Sequence, residues 1–163
     1  MLEPSPEAEL VMAFANTVDL EDGTDELATS AEANKWLQAN DLPRVNAADH
    51  RRLLDLRTGI RAALAGSTET GTGQAVLAEL PVFVNLTGDV LTATHSALSR
   101  LAIAWAVVAL TGQAERLKRC ADDACGWVFW DVSRNHSRRW CTMRVCGNRA
   151  KARRYTARQK QER

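Results

Sequence analysis

Apolar residues recur at three- and four-residue steps along much of this chain, which is the period of a helix with one buried face. Leu10, Val11, Phe14 and Val18 set the first such stripe. Ser5-Pro6-Glu7 ahead of it reads as an N-cap, a proline at the first helical position and a first-turn acid, so a helix is expected over the fifteen residues after Ser5. Asn16 and Thr17 near its end are expected to satisfy local backbone groups. Glu21 to Asp25 is polar throughout and reads as a loop. Thr29 or Ser30 then caps a short helix with Trp36 and Leu37 buried, and Asn40-Asp41 stop it.

From Ala47 to Ala65 the helical pattern returns, with Leu53, Leu56, Ile60 and Leu64 as its apolar stripe. Arg51, Arg52, Arg57 and Arg61 mark its other faces, where Asp49 and Asp55 also sit, so solvated ion pairs are expected there in preference to an anion pocket. Gly66 to Gly73 reads as a flexible loop; no strand precedes it and no Lys-Ser/Thr follows, so it is not a phosphate cradle. Residues 81–86 and 90–93, with a turn at Thr87-Gly88-Asp89, suggest a small β-hairpin packed on helices. A long helix is expected from Ala97 to about Arg119, apolar almost all round between Leu101 and Leu110 and therefore deeply buried.

Beyond it, Trp127 to Val132 reads as a strand, Ser133 to Ser137 as a turn and Arg138-Arg139-Trp140 as the returning strand. Met143 to Gln159 reads as a helix with basic residues on two sides and only alanines and Tyr155 to bury, so it should project from the body. The fold class that results is mainly α with a small β-hairpin: a helical N-terminal domain over residues 1–115, then a treble-clef-like finger and a basic C-terminal helix over 116–163.

Charge sharpens that division. Residues 1–115 carry 7 Lys+Arg against 16 Asp+Glu, whereas residues 116–163 carry 14 against 4. A net charge of +1 thus hides an acidic body and a basic module suited to a polyanion. The ten-residue run Leu101 to Leu110 is about half of the ~20 residues a bilayer requires. The first residues lack the basic and apolar regions of a secretory signal. A soluble, cytoplasmic protein without membrane contact is expected.

All four cysteines lie in the basic module, at Cys120, Cys125, Cys141 and Cys146, spaced C-x4-C, fifteen residues, C-x4-C. Both pairs end in Cys-Gly, at 125–126 and 146–147, which suggests two copies of one metal-gripping turn with a glycine at positive φ in each. Four thiolates suit one tetrahedral Zn2+ and leave no open position, so the ion would be structural. Two disulfides are the alternative and would need an oxidising compartment; a thioredoxin-like pair would need C-x-x-C, which is absent. Of His50, His95 and His136, only His136 lies between the cysteine pairs, and the four cysteines already complete a shell.

The segment from Trp127 through Arg154 closely resembles the CGNR zinc finger. The resemblance rests on Asp131, Ser133-Arg134-Asn135, Ser137-Arg138-Arg139-Trp140-Cys141, Cys146-Gly147-Asn148-Arg149 and Ala150-Lys151-Ala152-Arg153. Phe14-Ala15-Asn16-Thr17-Val18-Asp19 and Trp36-Leu37 resemble the ABATE domain that precedes that finger. The resemblance implies a bacterial, stress-induced transcription regulator whose finger binds DNA, with the four cysteines as zinc ligands. It implies no catalytic residues and no ligand for the front domain.

The expected function is therefore DNA binding through a zinc-stabilised finger, with Arg134, Arg138, Arg139, Arg149, Lys151, Arg153, Arg154 and Arg158 meeting phosphates or guanine edges. The alternative is a protein-interaction module in which the basic helix meets the acidic half of another copy, giving a homodimer. A small-molecule effector bound by the front domain would make the chain a one-component sensor. Paired carboxylates with a supporting His, a nucleophile elbow and an open metal site are all missing, so the chain is not expected to be an enzyme.

Overall fold

A computed structural model describes residues 3–88 and 91–161. The first helix, α1 (Pro6–Ala15), starts where Ser5 Oγ accepts the Ala8 amide and buries Ala8, Val11, Phe14 and Ala15. It ends earlier than the apolar spacing suggests. Val18–Asp19 is instead a short strand, β1, paired antiparallel with β2 (Thr24–Asp25). Helix α2 (Ser30–Ala39) opens on a full capping box between Thr29 and Glu32 and buries Trp36 and Leu37, as expected. The Trp36 ring lies 5.8 Å from that of Phe14, which ties α2 to α1.

Helix α3 (Ala47–Leu64), capped by Asn46, runs through the centre and buries Leu53, Leu56 and Ile60. Arg57 and Arg61 are buried too, contrary to the solvated faces expected of them. The β1–β2 ribbon and the first cysteine loop pack over that side of α3, and each guanidinium is fully engaged there. Arg57 forks onto Asp25 at 2.6 and 2.7 Å and reaches Thr17 at 2.9 Å. Arg61 donates to the carbonyls of Ala15 at 2.5 Å and Gly126 at 3.0 Å.

The stretch expected to be a flexible glycine loop ends in another helix, α4 (Gly71–Ala78). It lies directly on α3, because Gly59 and Gly73 face each other without side chains; a Cβ on Gly73 would sit 2.6 Å from Gly59 Cα. Strands β3 (Val82–Val84) and β4 (Leu91–Ala93) form the expected hairpin in register Val82↔Ala93, Phe83↔Thr92, Val84↔Leu91. Asp89 and Val90, at its turn, lie outside the described residues. The β3 strand is exposed, and β4 packs against α5.

Helix α5 (Ala97–Leu110) packs on α1 and α3, burying Leu98, Leu101, Ala104 and Val108. It is neither as long nor as deeply buried as its composition suggests. Leu110 is 78% exposed, and Ile103 and Val107 are half-buried. The helix stops because Thr111 turns its hydroxyl back to the Val107 carbonyl and Gly112 adopts φ 74°. After a 3-10 turn at Gln113–Glu115 come β5 (Leu117–Arg119) and β6 (Val128–Trp130), paired antiparallel. The hairpin of the cysteine module thus precedes and follows the first cysteine pair; residues 138–140 are not its returning strand, and Arg116–Arg119 is not a helix end. A π-helical turn (Met143–Gly147) leads into α6 (Asn148–Gln161). No helix among the described residues is long and apolar enough to cross a membrane.

Strand alternation makes β6 a partition. Val128 and Trp130 join the main core, while Phe129 between them packs with Cys120 and Cys146 in a second, smaller cluster.

Candidate metal centre and nucleic-acid interface

The first cysteine loop is a tight turn. Cys120 donates its amide to the Trp127 carbonyl at 2.7 Å, and the Asp122 carbonyl accepts from both Cys125 and Gly126 at 2.9 Å. Gly126 takes φ 57°, which aims the following backbone back toward the sulfur. The second loop is built differently from the first, against the expectation of two copies. Cys146 sits in the π-helical turn and Gly147 is helical, not at positive φ. The Met143 side chain lies against Gly147, in the space a Cβ would take.

These two loops bring the sulfurs of Cys120, Cys125, Cys141 and Cys146 within 4.8 Å of one another. Cys125 and Cys141 are 3.7 Å apart and Cys141 and Cys146 3.6 Å. Tetrahedral zinc with Zn–S bonds of about 2.3 Å requires sulfur–sulfur edges of about 3.8 Å. The four thiols are free, and no disulfide joins any two of them. The cluster could hold one zinc ion, with no protein position left open. Its donor chemistry also asks for a cation. Burial pushes the Cys125 thiol up to about 11 and, together with its neighbouring thiols, the Cys141 thiol higher still, whereas Arg149 and the other thiols overcome burial and lower Cys146. A divalent ion offsets that cost by stabilising the thiolates.

Cations from two elements approach the sulfurs. Arg149 Nη2 lies 3.4 Å from Cys146 Sγ. Arg61, from α3, holds the Gly126 carbonyl beside Cys125. Burial, with Arg119 and Arg57 nearby, draws Arg61 down to about 10, so it stays charged at neutral pH. Four thiolates on Zn2+ carry a net charge of about −2, and these two arginines oppose it.

Two acids organise the basic module, and the sequence pattern gave neither a role. Asp122 is fully buried in the first cysteine loop. Its two oxygens accept Arg149 Nε at 2.7 Å and Arg153 Nη2 at 2.8 Å. Burial alone would raise its pKa, but these guanidiniums outweigh it and hold the carboxyl below the ordinary range. Asp131, also fully buried, accepts the Ser133 amide at 2.8 Å, Lys118 Nζ at 2.9 Å and the Arg138 amide at 3.0 Å. Those bonds likewise overcome burial and depress its pKa strongly. An acid inside a cysteine loop of a basic segment is the signal that could have found Asp122.

The eight expected nucleic-acid contacts divide accordingly. Arg149 bonds Asp122 and also Glu21, at 2.6 Å, so the acidic and basic halves meet within one chain. Arg153 bonds Asp122. Arg138 lies over the Phe129 ring at 4.9 Å and bonds the Cys141 carbonyl, and Arg139 lies over Trp140 at 5.4 Å. Arg134, Lys151, Arg154 and Arg158 are exposed and meet no partner among the described residues. His136 stands apart from the sulfurs, its ring 3.7 Å from Glu115.

In the front half, a groove of about 870 Å3 opens between the start of α1, β4 and α5. Leu10, Ile103 and Val107 form its apolar wall, with Glu7, His95 and Arg100 at polar positions.

Two family models match the chain. The ABATE model, described as "Putative stress-induced transcription regulator", covers residues 8–128. The CGNR zinc finger model covers residues 116–159. The two overlap over residues 116–128, from β5 through the first cysteine loop to the first residue of β6. No curated protein matches this chain.

Proposed function

This chain belongs to the ABATE family and carries a CGNR zinc finger, and from that premise we propose that it regulates transcription by binding DNA through the finger and α6. Cys120, Cys125, Cys141 and Cys146 hold one structural zinc ion. Residues 116–163 act as the DNA-binding unit on a body formed by 1–115, and the open groove beside α5 makes that body a candidate sensor of a small molecule. A tetrathiolate site suits the reducing cytoplasm of a bacterium.

One observation carries the reading. Lys151, Arg154 and Arg158 are exposed without partners on a helix whose first turn is bound to the cysteine cluster. Like charges left bare on a held element favour a polyanion. Asp122, in the first cysteine loop, thus holds the helix that carries these cations.

Binding of the zinc-loaded chain to labelled random duplex DNA, measured from 50 to 200 mM salt, tests it. With Arg134 added to those three cations, log affinity should fall against log salt with a slope of roughly −3 to −4. Absence of binding at the lowest salt, or binding indifferent to salt, would remove the proposal.

A further inference from the structure

Helix α6 carries its cations on two opposed faces; over its first two turns one face is engaged and the other bare, and Lys160 stands exposed at the far end of the engaged side. Arg149 and Arg153 are four residues apart and both bind the buried carboxylate of Asp122. At about 100° per residue, Lys151, Arg154, Tyr155 and Arg158 fall within one stripe about 100° wide, centred almost opposite that pair. Every residue of the stripe is exposed, Tyr155 at 68%.

Resting on the reading of the finger as a DNA-binding unit, we propose that α6 enters the major groove of duplex DNA by the Lys151–Arg154–Tyr155–Arg158 face alone. Arg149 and Arg153, the first of them in the Cys-Gly-Asn-Arg motif, do not touch DNA. They aim the helix, and Asp122 is the positioning residue that holds them.

Charge decides which face. A phosphate approaching Arg149 and Arg153 would meet the carboxylates of Asp122 and Glu21, which already occupy those guanidiniums. On the opposite face no acid among the described residues is paired with Lys151, Arg154 or Arg158. Geometry decides the partner. An α-helix is about 10–12 Å across with its side chains, which the major groove at about 12 Å admits and the minor groove at about 6 Å does not. From Lys151 to Arg158 the helix rises about 10 Å, the length of three base pairs. Single strands are bound in grooves paved with several aromatic rings, and this convex face has one. A-form RNA offers a major groove too narrow for a helix. Tyr155, at the middle of the stripe, places an aromatic ring against base edges, where an apolar contact distinguishes the thymine methyl group.

The test compares neighbours in sequence that lie on different faces. Arg153→Gln and Arg154→Gln are both changes at exposed positions of the full chain, with zinc content measured for each. On labelled random duplex DNA, Arg154→Gln should lower the magnitude of the salt slope by about 1 and weaken affinity about tenfold, and Arg153→Gln should leave the slope unchanged. Asp122→Asn should keep the slope within about 1 of the parent while the set of sequences retained from a random pool becomes broader; simple unfolding would abolish both binding and slope. Tyr155→Ala should broaden that set without moving the slope.

If Arg153→Gln lowers the slope as much as Arg154→Gln, both faces meet phosphate and the one-faced arrangement is wrong, although the chain still binds DNA. Equal or tighter binding to single strands or to duplex RNA overturns the choice of partner. Failure of the parent chain to bind any duplex overturns the underlying function as well, so the two failures are distinct.

Discussion

Asn16 and Val128 are hydrogen-bonded to each other twice: Asn16 Nδ2 donates to the Val128 carbonyl at 2.8 Å, and Asn16 Oδ1 accepts the Val128 amide at 2.8 Å. A side-chain amide at the end of α1 thus stands in for a neighbouring strand beside β6. Val128 is fully buried, so its peptide groups have no water to turn to. This pair, Arg61, the Arg149–Glu21 ion pair and the packing of Val128 and Trp130 into the main core join the helical body to the cysteine module.

Replacing Asn16 by Ala leaves a buried donor and a buried acceptor unpaired, which should cost about 2–4 kcal/mol. For a chain of this size that lowers the melting temperature by roughly 5–15 °C. Asn16→Asp retains the acceptor but sets a carboxylate oxygen against the Val128 carbonyl, so it should be no better than Ala. Thermal melts of the zinc-loaded proteins check both; a shift below 2 °C for either would show that the pair contributes little.

Removal of the metal should divide the molecule along β6. The main core contains Phe14, Leu53, Leu56 and Leu101, and it closes without the cysteines. The second cluster has little besides Phe129, Trp140 and the four sulfurs. The energy of zinc binding at such a site, of order 10 kcal/mol, is in large part its folding energy. Chelation should abolish amide-exchange protection over the two cysteine loops, residues 120–126 and 138–147, and release α6, with α1, α3, α5 and the Val128 amide still protected. One equivalent of zinc should restore it. Unchanged protection after complete metal removal would show that the cluster is held by packing alone.

Much of this was legible in the sequence. Four cysteines within a short basic segment reported the metal centre, because thiolates gather at one point only for a shared ligand or a bridge. The capping residues Ser5 and Thr29 and the α3 stripe gave helix starts and the core, because these signals are local. What failed to show were roles that depend on distant chain. Asn16 looks like a helix-end residue and bonds Val128 instead. Arg57 and Arg61 occupy positions that a helical wheel assigns to solvent, yet other elements close over them. Lys118 and Arg119 suited the basic end of a long helix, and pairing with β6 made them strand. Asp122 reads as one more loop acid until α6 folds back and gives it two arginines.

The Asp25–Arg57 pair predicts a specific acid dependence. Hydrogen bonding to Arg57, the largest influence, holds the Asp25 carboxyl below its ordinary value despite partial burial. A depressed folded-state pKa means that the contribution is complete above the ordinary carboxylate range and is lost as pH falls through the folded value. The stability difference between the parent and Asp25→Asn should therefore be constant from pH 6 to about 5 and shrink steadily below about pH 4. Urea unfolding across that range measures it. A difference that grows toward acid would mean that the pair does not favour the charged carboxyl.

Gly59 and Gly73 should tolerate no side chain. A Cβ on Gly73 would lie 2.6 Å from Gly59 Cα and 2.8 Å from the Asp55 carbonyl; one on Gly59 would lie 2.8 Å from Gly73 Cα. All of these neighbours are backbone, so relief requires α4 to move off α3. Gly73→Ala is expected to cost about 1–3 kcal/mol, against a gain of at most about 1 kcal/mol in helix propensity. Gln74→Ala, one residue on at an exposed position, is the control and should be neutral. Denaturant midpoints for the two would decide the matter, equal midpoints counting against close contact of the helices.

Arg61 reaches from the centre of the body to the edge of the metal centre, and its loss should be felt by the ion. Its guanidinium joins the Ala15 and Gly126 carbonyls and lies near Cys125, where a zinc tetrathiolate would place negative charge. Arg61→Met removes both the bridge and the charge. Groups that support metal ligands from behind typically change affinity by about 10–100-fold, and a change in that range is expected for zinc here, read by competition with a chromogenic chelator. Arg61→Lys keeps the charge but offers a single ammonium in place of the fork, so it should fall between the parent and Met. Arg51→Met, on the same helix but exposed, should release zinc at the parent's rate. If Lys and Met behave alike, the bridge to Gly126 matters and the charge does not; if both retain zinc as the parent does, the body holds the cysteine module without influencing its metal.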